Sequence, residues 1–355
     1  MYDKVKQVYS ALADENSKRF FMQRLNYNLT KNIEDLNKIF EEHMPIIADK
    51  EKIVTNRVNG HEEHKNLLDI QGDWVIYGTG NLGRVVYRLF EFNKWDNLIC
   101  CDKSYNEKNK FFDCDIISPK TLIEEYKNRN ILITSTRFYD EIRGFLLGNG
   151  IRETNIYTCN PFVKYGQMYF DDMVEFDKDE IFIDAGVYDA KNSLDFVKIC
   201  PNYKAVYLFE PDHNNYIISK ANLEKNKVDN AHIFNLGLWS ERKILNFTGE
   251  KGAGSSISEE GATEIEVTSL DLELQDIDVT FIKMDIEGAE LKALEGAKNI
   301  IKNKKPKLAI SIYHKDEDIL DIPAYILSLV KNYKFYIRVY GAGIFEWVLY
   351  AIPTN

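Results

Sequence analysis

Residues 181–193 read IFIDAGVYDAKNS, and this stretch decides the fold of the C-terminal half of the chain. Its first five residues are apolar except for Asp184, which is typical of a short buried strand. Gly186 then allows a sharp turn, and a helix-forming run follows it. A strand, a glycine turn and a helix in this order predict a parallel α/β sheet, in which backbone amides of the turn face a ligand above the strand end.

Six more strand-like runs follow this stretch along the chain. They are AVYLFE (205–210), HIFNL (232–236), VTFIKMD (279–285), KLAISIY (307–313), FYIRVY (335–340) and WVLYA (347–351). Counting from the run at 181–185, helix-length segments separate the first five of the seven strands. This spacing favours parallel pairing of those five strands. Only residues 341–346 separate the last two strands, and such a short connection predicts an antiparallel hairpin.

The preceding part of the chain contains a shorter series of the same kind. Residues 73–91 read as a strand, a glycine turn and a helix, and further short strands and helices alternate up to residue 158. Residues 1–70 show apolar spacings of three and four, typical of amphipathic helices, with a polar connector around residues 50–65. We therefore predict a helical N-terminal extension (1–70), a smaller Rossmann-like α/β domain (71–165) and a larger α/β domain (166–355).

The turn of the smaller domain carries a dinucleotide-binding pattern. Gly78, Gly80 and Gly83 form G-x-G-x-x-G between a strand and a helix, and Asp102 ends the next strand. Such glycines allow close approach of a pyrophosphate, and the carboxylate can hold a ribose hydroxyl. The sequence therefore predicts a second site, for a nucleotide or nucleotide-sugar. In the alternative interpretation, the glycines only shape the turn.

Three longer motifs carry a resemblance to a known family. They are VTSLDLEL (267–274), DVTFIKMDIEGAELKALEGA (278–297) and KLAISIYHKDEDILDIPAYI (307–326). On these residues, the region from about 165 to 353 resembles the FkbM family of methyltransferases. The resemblance implies a class I methyltransferase Rossmann-like sheet, S-adenosyl-L-methionine (SAM) as methyl donor, and O-methylation of sugar, glycan or natural-product hydroxyls.

Cofactor-binding candidates lie where the predicted strands end, because ligands of open α/β sheets bind outside the carboxyl ends of the strands. Gly186 would turn beneath the methionine part of SAM, and Glu210 would accept the ribose hydroxyls. Asn235 and Gly237 would lie beside adenine. The full predicted set is Asp184, Gly186, Tyr188, Ser193, Glu210, Pro211, Asn235, Gly237 and Asp285.

The chain departs from the family pattern in the first turn and in the terminal hairpin. The first turn of the family usually reads D-x-G-x-N-x-G, whereas Tyr188 replaces the Asn here and Ala190 replaces the last Gly. An alanine in the first helical turn is sterically mild, but Tyr188 could stack on the ligand or reshape its pocket. Trp347 stands where the family often has Thr.

Methyl transfer to an alcohol requires the acceptor oxygen in line with the S–C bond, at about 3–3.5 Å, and a base for its proton. His314, at the end of the fifth strand, is the favoured base or positioning group because an imidazole titrates near neutral pH. Asp285 lies beside the expected sulfonium, and Glu287 and Glu290 follow it. Lys283 would share a face with Asp285 and form a salt bridge or a shared acceptor site with it.

A divalent metal is a less favoured addition to this site. Asp285, Glu287 and His314 could ligate magnesium, which prefers carboxylate and water ligands. In the simpler interpretation these side chains cap the strand ends and the following helices. The metal therefore stays an open alternative at the sequence level.

Composition restricts the function classes. A formal net charge of −11 disfavours nucleic acid and anionic lipid as partners. The five cysteines form no C-x-x-C pair, and their scattered positions are typical of reduced thiols in the cytoplasm. No apolar run approaches the roughly 20 residues of a membrane span. We expect a cytoplasmic enzyme with a sugar or glycan substrate, and homo-oligomerisation stays open.

Two other functions compete with the O-methyltransferase. A non-catalytic binding or scaffold protein could keep the sheet without turnover, and Tyr188 and Ala190 favour this reading. A nucleotide-dependent sugar oxidoreductase could instead use the turn at residues 78–83. No hydride-transfer dyad accompanies that turn, so the oxidoreductase is the less favoured of the two.

Overall fold

The computed structural model describes residues 2–32, 35–36, 53–58, 61–80, 83–84, 86–87, 97–104, 110–112, 114–135, 138–158, 168–248, 256–257, 263–340 and 344–354. The chain divides into two compact units. The C-terminal unit comprises Met1–Lys31, Gly166–Tyr340 and Ile344–Asn355, and the N-terminal unit comprises Asn32–Tyr165 and Gly341–Gly343.

Two helices open the chain, α1 (Tyr2–Ala11) and α2 (Glu15–Thr30). Asp14 caps α2, because its carboxylate accepts a hydrogen bond from the backbone N–H of Ser17 at 2.7 Å. The predicted continuation of helical spacing through Ile33, Ile39 and Phe40 lies outside the described residues.

The N-terminal unit contains an eight-stranded sheet. Its strands are β1 (Ile53–Val58), β2 (His61–Asn66), β3 (Trp74–Tyr77), β4 (Ile99–Cys101), β5 (Lys110–Phe111), β6 (Cys114–Ile117), β7 (Asn130–Ile133) and β8 (Ile156–Thr158), with helices α3 (Pro119–Glu125) and α4 (Tyr139–Gly148). The spatial order is β2-β1-β8-β7-β3-β4-β6-β5. Strands β8, β7, β3, β4 and β6 run parallel, as expected from their alternation with helices.

One prediction for this part of the chain is wrong. Residues 50–65 were expected to form a connector within a helical extension, whereas β1 and β2 form an antiparallel hairpin whose first strand also pairs with β8. Strand β2 is wholly polar and β1 lacks strict apolar alternation, so neither gives a clear periodic signal, and backbone pairing with β8 joins the hairpin to the sheet. The dipeptide Asn59-Gly60 between the two runs is a hairpin signal that marks this position.

The C-terminal unit is built around a seven-stranded sheet in the order β11-β10-β9-β16-β17-β19-β18. Its strands are β9 (Ile181–Ala185), β10 (Ala205–Phe209), β11 (Ala231–Phe234), β16 (Phe281–Met284), β17 (Lys307–Ser311), β18 (Tyr333–Val339) and β19 (Trp347–Pro353). The first five in the spatial order are parallel, and β19 pairs antiparallel with both β17 and β18. This is the predicted arrangement.

Helices connect these strands, and a small second sheet interrupts the series. The helices are α5 (Lys191–Ile199), α6 (His213–Lys225), α7 (Leu270–Glu273), α8 (Glu290–Glu295), α9 (Lys298–Lys304) and α10 (Asp318–Leu329). The second sheet joins β12 (Gly237–Leu238), β13 (Lys243–Thr248), β14 (Ser256–Ile257) and β15 (Thr263–Thr268). The sequence analysis did not predict this second sheet. No helix among the described residues is long and apolar enough to cross a membrane.

Stacked phenylalanine rings form the core of the C-terminal unit on one side of β9. The ring centroid of Phe182 lies 4.4 Å from that of Phe196 and 5.1 Å from that of Phe281. All three rings are fully buried, and each contributes about 1.5–3 kcal/mol of hydrophobic stabilisation. The core therefore fixes β9, β16 and α5 relative to one another, and with them the turn at Gly186.

Helices α1 and α2 belong to the C-terminal unit rather than to a separate extension. They cover β18, which would otherwise be an exposed sheet edge. The backbone N–H of Ala13 donates to the carbonyl of Phe335 at 2.8 Å, and that of Ile337 donates to the Ser17 hydroxyl at 2.9 Å. Phe20 is buried with its ring centroid 6.3 Å from that of Trp347, which accounts for the tryptophan at this position.

Candidate active site

The carboxyl ends of three adjacent strands bring the predicted cofactor residues together. In the order β10-β9-β16, Phe209 pairs with Ala185, and Ala185 pairs with Met284. Glu210 and Asp285 directly follow two of these strands, and Gly186 follows the third. The backbone N–H of Asp285 donates to the carbonyl of Ala185 at 3.1 Å, which continues the ladder to the sheet edge.

Gly186 makes the closest backbone approach of this edge. Its φ is +78°, and a Cβ atom at this position would lie 1.8 Å from the carbonyl oxygen of Asp285. Both the left-handed backbone and the missing side chain are therefore required. The predicted role of Gly186 as the turn residue agrees with this geometry.

Three side chains lie beneath this turn and hold it: Asp184, Ser193 and Lys283. Their contacts correct the predicted role of Asp184 in cofactor binding and the predicted pairing of Lys283 with Asp285. Asp184 is fully buried and accepts hydrogen bonds from the Ser193 hydroxyl at 2.7 Å and from Lys283 Nζ at 3.0 Å. Lys283 Nζ also donates to the carbonyls of Ala185 and Gly186, so its three protons are used. Lys283 thus pairs with Asp184 rather than Asp285, and neither it nor Asp184 opens onto a ligand.

Tyr188 and Ala190 both adopt left-handed backbone conformations, with φ of +58° and +65°. Asn and Gly, the usual family residues, adopt this conformation more readily than Tyr and Ala. Ala190 occupies the N-cap position of α5, not its first turn as expected, and it therefore carries backbone strain. The Tyr188 side chain is 57% exposed and free to contact a ligand.

Glu210 lies at the end of β10 with its carboxylate buried. Its two oxygens accept hydrogen bonds from the backbone N–H groups of Tyr188, at 2.8 Å, and Asp212, at 2.9 Å. Burial raises the pKa of this carboxyl above its ordinary value. Two backbone donors leave further lone pairs on the carboxylate, so Glu210 retains the capacity to accept hydroxyl groups of a ligand.

The remaining predicted cofactor residues adjoin Glu210. Asn235 Nδ2 donates to the carbonyl oxygens of Glu210, at 2.9 Å, and Pro211, at 3.0 Å. A Cβ atom on Gly237 would lie 3.4 Å from Pro211 Cβ and 3.0 Å from a methyl of Val267. The structure therefore brings Glu210, Pro211, Asn235 and Gly237 together, as the sequence predicts.

Asp285 is held by two tyrosines that the sequence analysis did not identify. The hydroxyl of Tyr169 donates to its Oδ2 at 2.8 Å, and the hydroxyl of Tyr313 donates to Oδ1 at 3.2 Å. Burial alone would raise the pKa of Asp285, but the positive charges of Lys283 and His314 and the hydrogen bond from Tyr169 hold it below its ordinary value. Asp285 is therefore ionised and fixed in orientation.

His314 faces three carboxylates. Its Nδ1 lies 2.9 Å from Glu290 Oε1, and its Nε2 lies 3.5 Å from Asp285 Oδ1 and 3.4 Å from Glu287 Oε2. Burial opposes the charged form, but Glu290, Asp285 and Glu287 together raise the pKa of His314 to about 9. At this pKa the imidazole is charged at neutral pH, and this disfavours its predicted role as a free general base.

Arg24 of α2 fixes the rim beside this cluster, and sequence spacing gave no indication of it. Its Nη1 donates to the carbonyl of Ile344 at 3.0 Å, and its Nη2 lies 3.5 Å from the carbonyl of Tyr313. The guanidinium also lies over the ring of Trp347, 5.5 Å from the centroid. An N-terminal helix thus supports the segments that flank His314.

In the N-terminal unit, the carboxylate near the glycine turn is that of Asp102, and unlike Glu210 it is fully occupied by hydrogen bonds within the protein. A Cβ atom on Gly83 would lie 2.1 Å from the carbonyl oxygen of Gly78, so the third glycine is needed for close packing. Asp102 accepts four hydrogen bonds, from the backbone N–H and hydroxyl groups of Thr79 and Ser104, at 2.6–2.8 Å. The carboxylate thus binds its own turn.

Two parts of the chain match known sequence families. Residues 184–335 match the methyltransferase FkbM domain, and residues 72–157 match the family described as C2185-like, N-terminal. The first match supports a methyltransferase and agrees with the resemblance seen in the sequence. Among curated protein sequences, no significant match was found.

Three solved structures resemble this chain to different degrees. A methyltransferase FkbM from Methylobacillus flagellatus KT is 19% identical, with 90% of this chain and 99% of that chain covered, at a TM-score of 0.50. An rRNA methylase from Streptococcus thermophilus is 16% identical over 50% of this chain and 89% of its own, at a TM-score of 0.34. A putative methyltransferase from Streptococcus mutans in complex with SAH is 14% identical over 49% and 89%, at 0.32. The first likeness shows the class I Rossmann-like fold alone.

Proposed function

We propose that the chain is a SAM-dependent O-methyltransferase that acts on a hydroxyl of a sugar, glycan or glycan precursor. One observation carries the proposal. Glu210, the Gly186 turn and the ionised Asp285 stand at the carboxyl ends of three adjacent parallel strands, within the segment that matches a methyltransferase domain. Ligands of open α/β sheets bind at this edge.

The residues at this edge fit SAM. Glu210 has lone pairs to accept the ribose hydroxyls, and Asn235 and Gly237 adjoin it on the side where adenine would lie. The Gly186 turn offers backbone groups for the methionine part. The carboxylates of Asp285 and Glu287 give the adjoining region negative charge, which suits a sulfonium.

The acceptor side combines polar groups with an aromatic ring. SAM supplies an activated methyl group when bound, and this chain's own residues must hold the acceptor oxygen in line with it. Asp285, fixed by Tyr169 and Tyr313, can accept the hydrogen bond of an acceptor hydroxyl. Phe345 is 47% exposed with its ring centroid 6.4 Å from that of Tyr313. An exposed ring beside polar groups suits the apolar face and hydroxyls of a sugar.

Calorimetry with SAM tests the cofactor part of this proposal. We expect wild-type protein to bind SAM, and Glu210→Ala to weaken binding at least tenfold, since about 1.5–3 kcal/mol of hydrogen bonding to a charged group is lost. Glu224→Gln, an exposed change on α6, is the matched control and should bind as wild type. Equal binding by Glu210→Ala and wild type would contradict the assignment.

Turnover separates the enzyme from a non-catalytic binding protein. Tyr188 and Ala190, strained where the family has Asn and Gly, are the observation that favours the second candidate. Radiolabelled methyl transfer from SAM to a cell-surface glycan extract is expected for the enzyme, with loss in Asp285→Asn. SAM binding without any transfer to glycan would support the binding protein instead.

For the N-terminal unit, the turn at Gly78, Gly80 and Gly83 stays a candidate site for a nucleotide or nucleotide-sugar. The filled hydrogen-bond capacity of Asp102 argues against the predicted ribose contact, and with it against a dinucleotide-dependent oxidoreductase. Calorimetry with NAD tests this, since NAD binding that is lost in Asp102→Ala would restore the oxidoreductase hypothesis.

A further inference from the structure

A buried imidazole nitrogen without a hydrogen-bond partner points into the carboxylate cluster. Nε2 of His314 is inaccessible to solvent and, like Nδ1, makes no hydrogen bond of acceptable geometry, although Asp285 Oδ1 and Glu287 Oε2 lie only 3.5 and 3.4 Å from Nε2. Burying a polar nitrogen without a partner is unfavourable. Two carboxylate oxygens therefore lie close to a buried nitrogen that bonds to neither of them.

The spacing of these three atoms suits a metal ion. Ligand atoms at about 2.0–2.2 Å from one cation are separated from each other by about 3.0–3.5 Å in octahedral or tetrahedral geometry. The two measured separations from Nε2 fall at the upper end of this interval. Each of the two carboxylate oxygens is therefore close enough to share a small divalent cation with Nε2.

Glu290 completes the arrangement from behind the imidazole. It is fully buried, its Oε1 lies 2.9 Å from Nδ1 of His314, and its Oε2 has no hydrogen-bond partner. Metal-binding histidines commonly present their second nitrogen to a carboxylate, which fixes the ring and raises its basicity. One ligand atom from each of Asp285, Glu290 and His314 also lies within 4.8 Å of the others.

The charge balance of the cluster leaves room for a cation. Among the described residues, His314 is the only basic side chain within 4 Å of the carboxylates of Asp285, Glu287 and Glu290. Lys283 lies nearby but is paired with Asp184. Three carboxylates against one imidazole leave net negative charge in a largely buried site, and a divalent cation would neutralise it.

We propose that Asp285, Glu287 and His314 bind one divalent cation of the Mn²⁺ or Mg²⁺ class, with Glu290 orienting the imidazole. The two carboxylates are hard donors that suit Mg²⁺ and Mn²⁺, and the borderline imidazole favours Mn²⁺ of the two. Binding of the cation does not depend on the proposed function. Its use does, because the cation's remaining coordination positions would hold the acceptor's hydroxyl oxygens beside the methyl donor.

Mn²⁺ titration followed by electron paramagnetic resonance tests the site. Because a ligating imidazole must release its proton, the titration is run at about pH 8. We expect wild-type protein to bind one tight Mn²⁺ with ¹⁴N coupling from a directly bound imidazole, and His314→Ala to lose that coupling. His232→Ala, at an exposed histidine on β11, is the matched control and should retain it.

Two conservative variants keep the test valid should His314→Ala fail to fold. Glu287→Gln should weaken Mn²⁺ binding through loss of a charged ligand, and Glu290→Gln should weaken it by about 10–100-fold while leaving the ¹⁴N coupling. Absence of ¹⁴N coupling in wild type, or Mn²⁺ affinity equal in wild type and both variants, would overturn the inference and leave a histidine that is only ion-paired with its carboxylates.

Calorimetry with SAM on the same preparations separates the two proposals. SAM binding without a nitrogen-coordinated Mn²⁺ overturns the metal site and leaves the proposed function standing. A nitrogen-coordinated Mn²⁺ without SAM binding supports the metal site and overturns the proposed function.

Discussion

The two glycine turns of this chain look alike in sequence but use their carboxylates differently. In the N-terminal unit, Asp102 accepts four hydrogen bonds, two from Thr79 in the glycine turn and two from Ser104, which follows Asp102 in the chain. In the C-terminal unit, Glu210 accepts two backbone hydrogen bonds, while Asp184 takes over the task of holding the turn from beneath. The sequence pattern of a strand, a glycine turn and a carboxylate therefore predicts only the fold. A ligand site requires in addition that the carboxylate keeps lone pairs not used by the protein, as Glu210 does and Asp102 does not.

Alanine substitution of one glycine from each turn should give the largest contrast. Gly186→Ala places a Cβ 1.8 Å from a backbone oxygen at positive φ, so we expect a loss of more than about 3 kcal/mol in the free energy of unfolding. Gly80→Ala meets nothing within 4 Å and should cost less than about 1 kcal/mol. Thermal and denaturant unfolding measure both, and similar losses would break the comparison.

Asp102→Asn should separate turn stability from SAM binding. We expect a loss of about 1–3 kcal/mol in the stability of the N-terminal unit, because hydrogen bonds to a charged acceptor are weakened. SAM affinity of the C-terminal unit should stay unchanged. Denaturant unfolding and calorimetry test this, and a SAM affinity lowered as in Glu210→Ala would contradict the division of roles between the turns.

Tyr188→Asn should have the smallest effect, and it sharpens the comparison within the C-terminal turn. Asn tolerates the left-handed backbone better than Tyr, and the largely exposed ring loses little packing, so we expect up to about 1 kcal/mol of stabilisation. Ala190→Gly is the control, since its relief of strain is offset by loss of a buried methyl. A lower melting temperature in Tyr188→Asn would show that the Tyr188 ring has an unrecognised packing role.

Local sequence signals were enough to predict the large sheet and its site edge. Each strand is a short apolar run, and Gly186, Glu210 and Asp285 directly follow such runs, so their common edge follows from parallel pairing. The hairpin of β1 and β2 was missed because β2 is wholly polar and β1 lacks strict apolar alternation. In the small sheet, β12 and β14 are only two residues long and give no signal, whereas the alternating run Thr263–Thr268 of β15 carries a strand signal that was overlooked.

Long-range contacts account for the parts of the site that sequence could not supply. Tyr169 is 116 residues from Asp285, and Arg24 is 289 residues from Tyr313, so no spacing rule relates them. The partner of Lys283 depends on which strand lies beside β16, since Asp184 pairs with it directly across β9. The charge state of His314 depends on three carboxylates that converge only in the folded chain.

A crystal structure with bound S-adenosylhomocysteine would test the central claim most directly. We predict ligand density across the carboxyl ends of β9, β10 and β16, with the ribose hydroxyls on Glu210 and the sulfur on the side of Asp285. Density at the glycine turn of the N-terminal unit instead, with the edge at Gly186 left free at saturating ligand, would contradict the account.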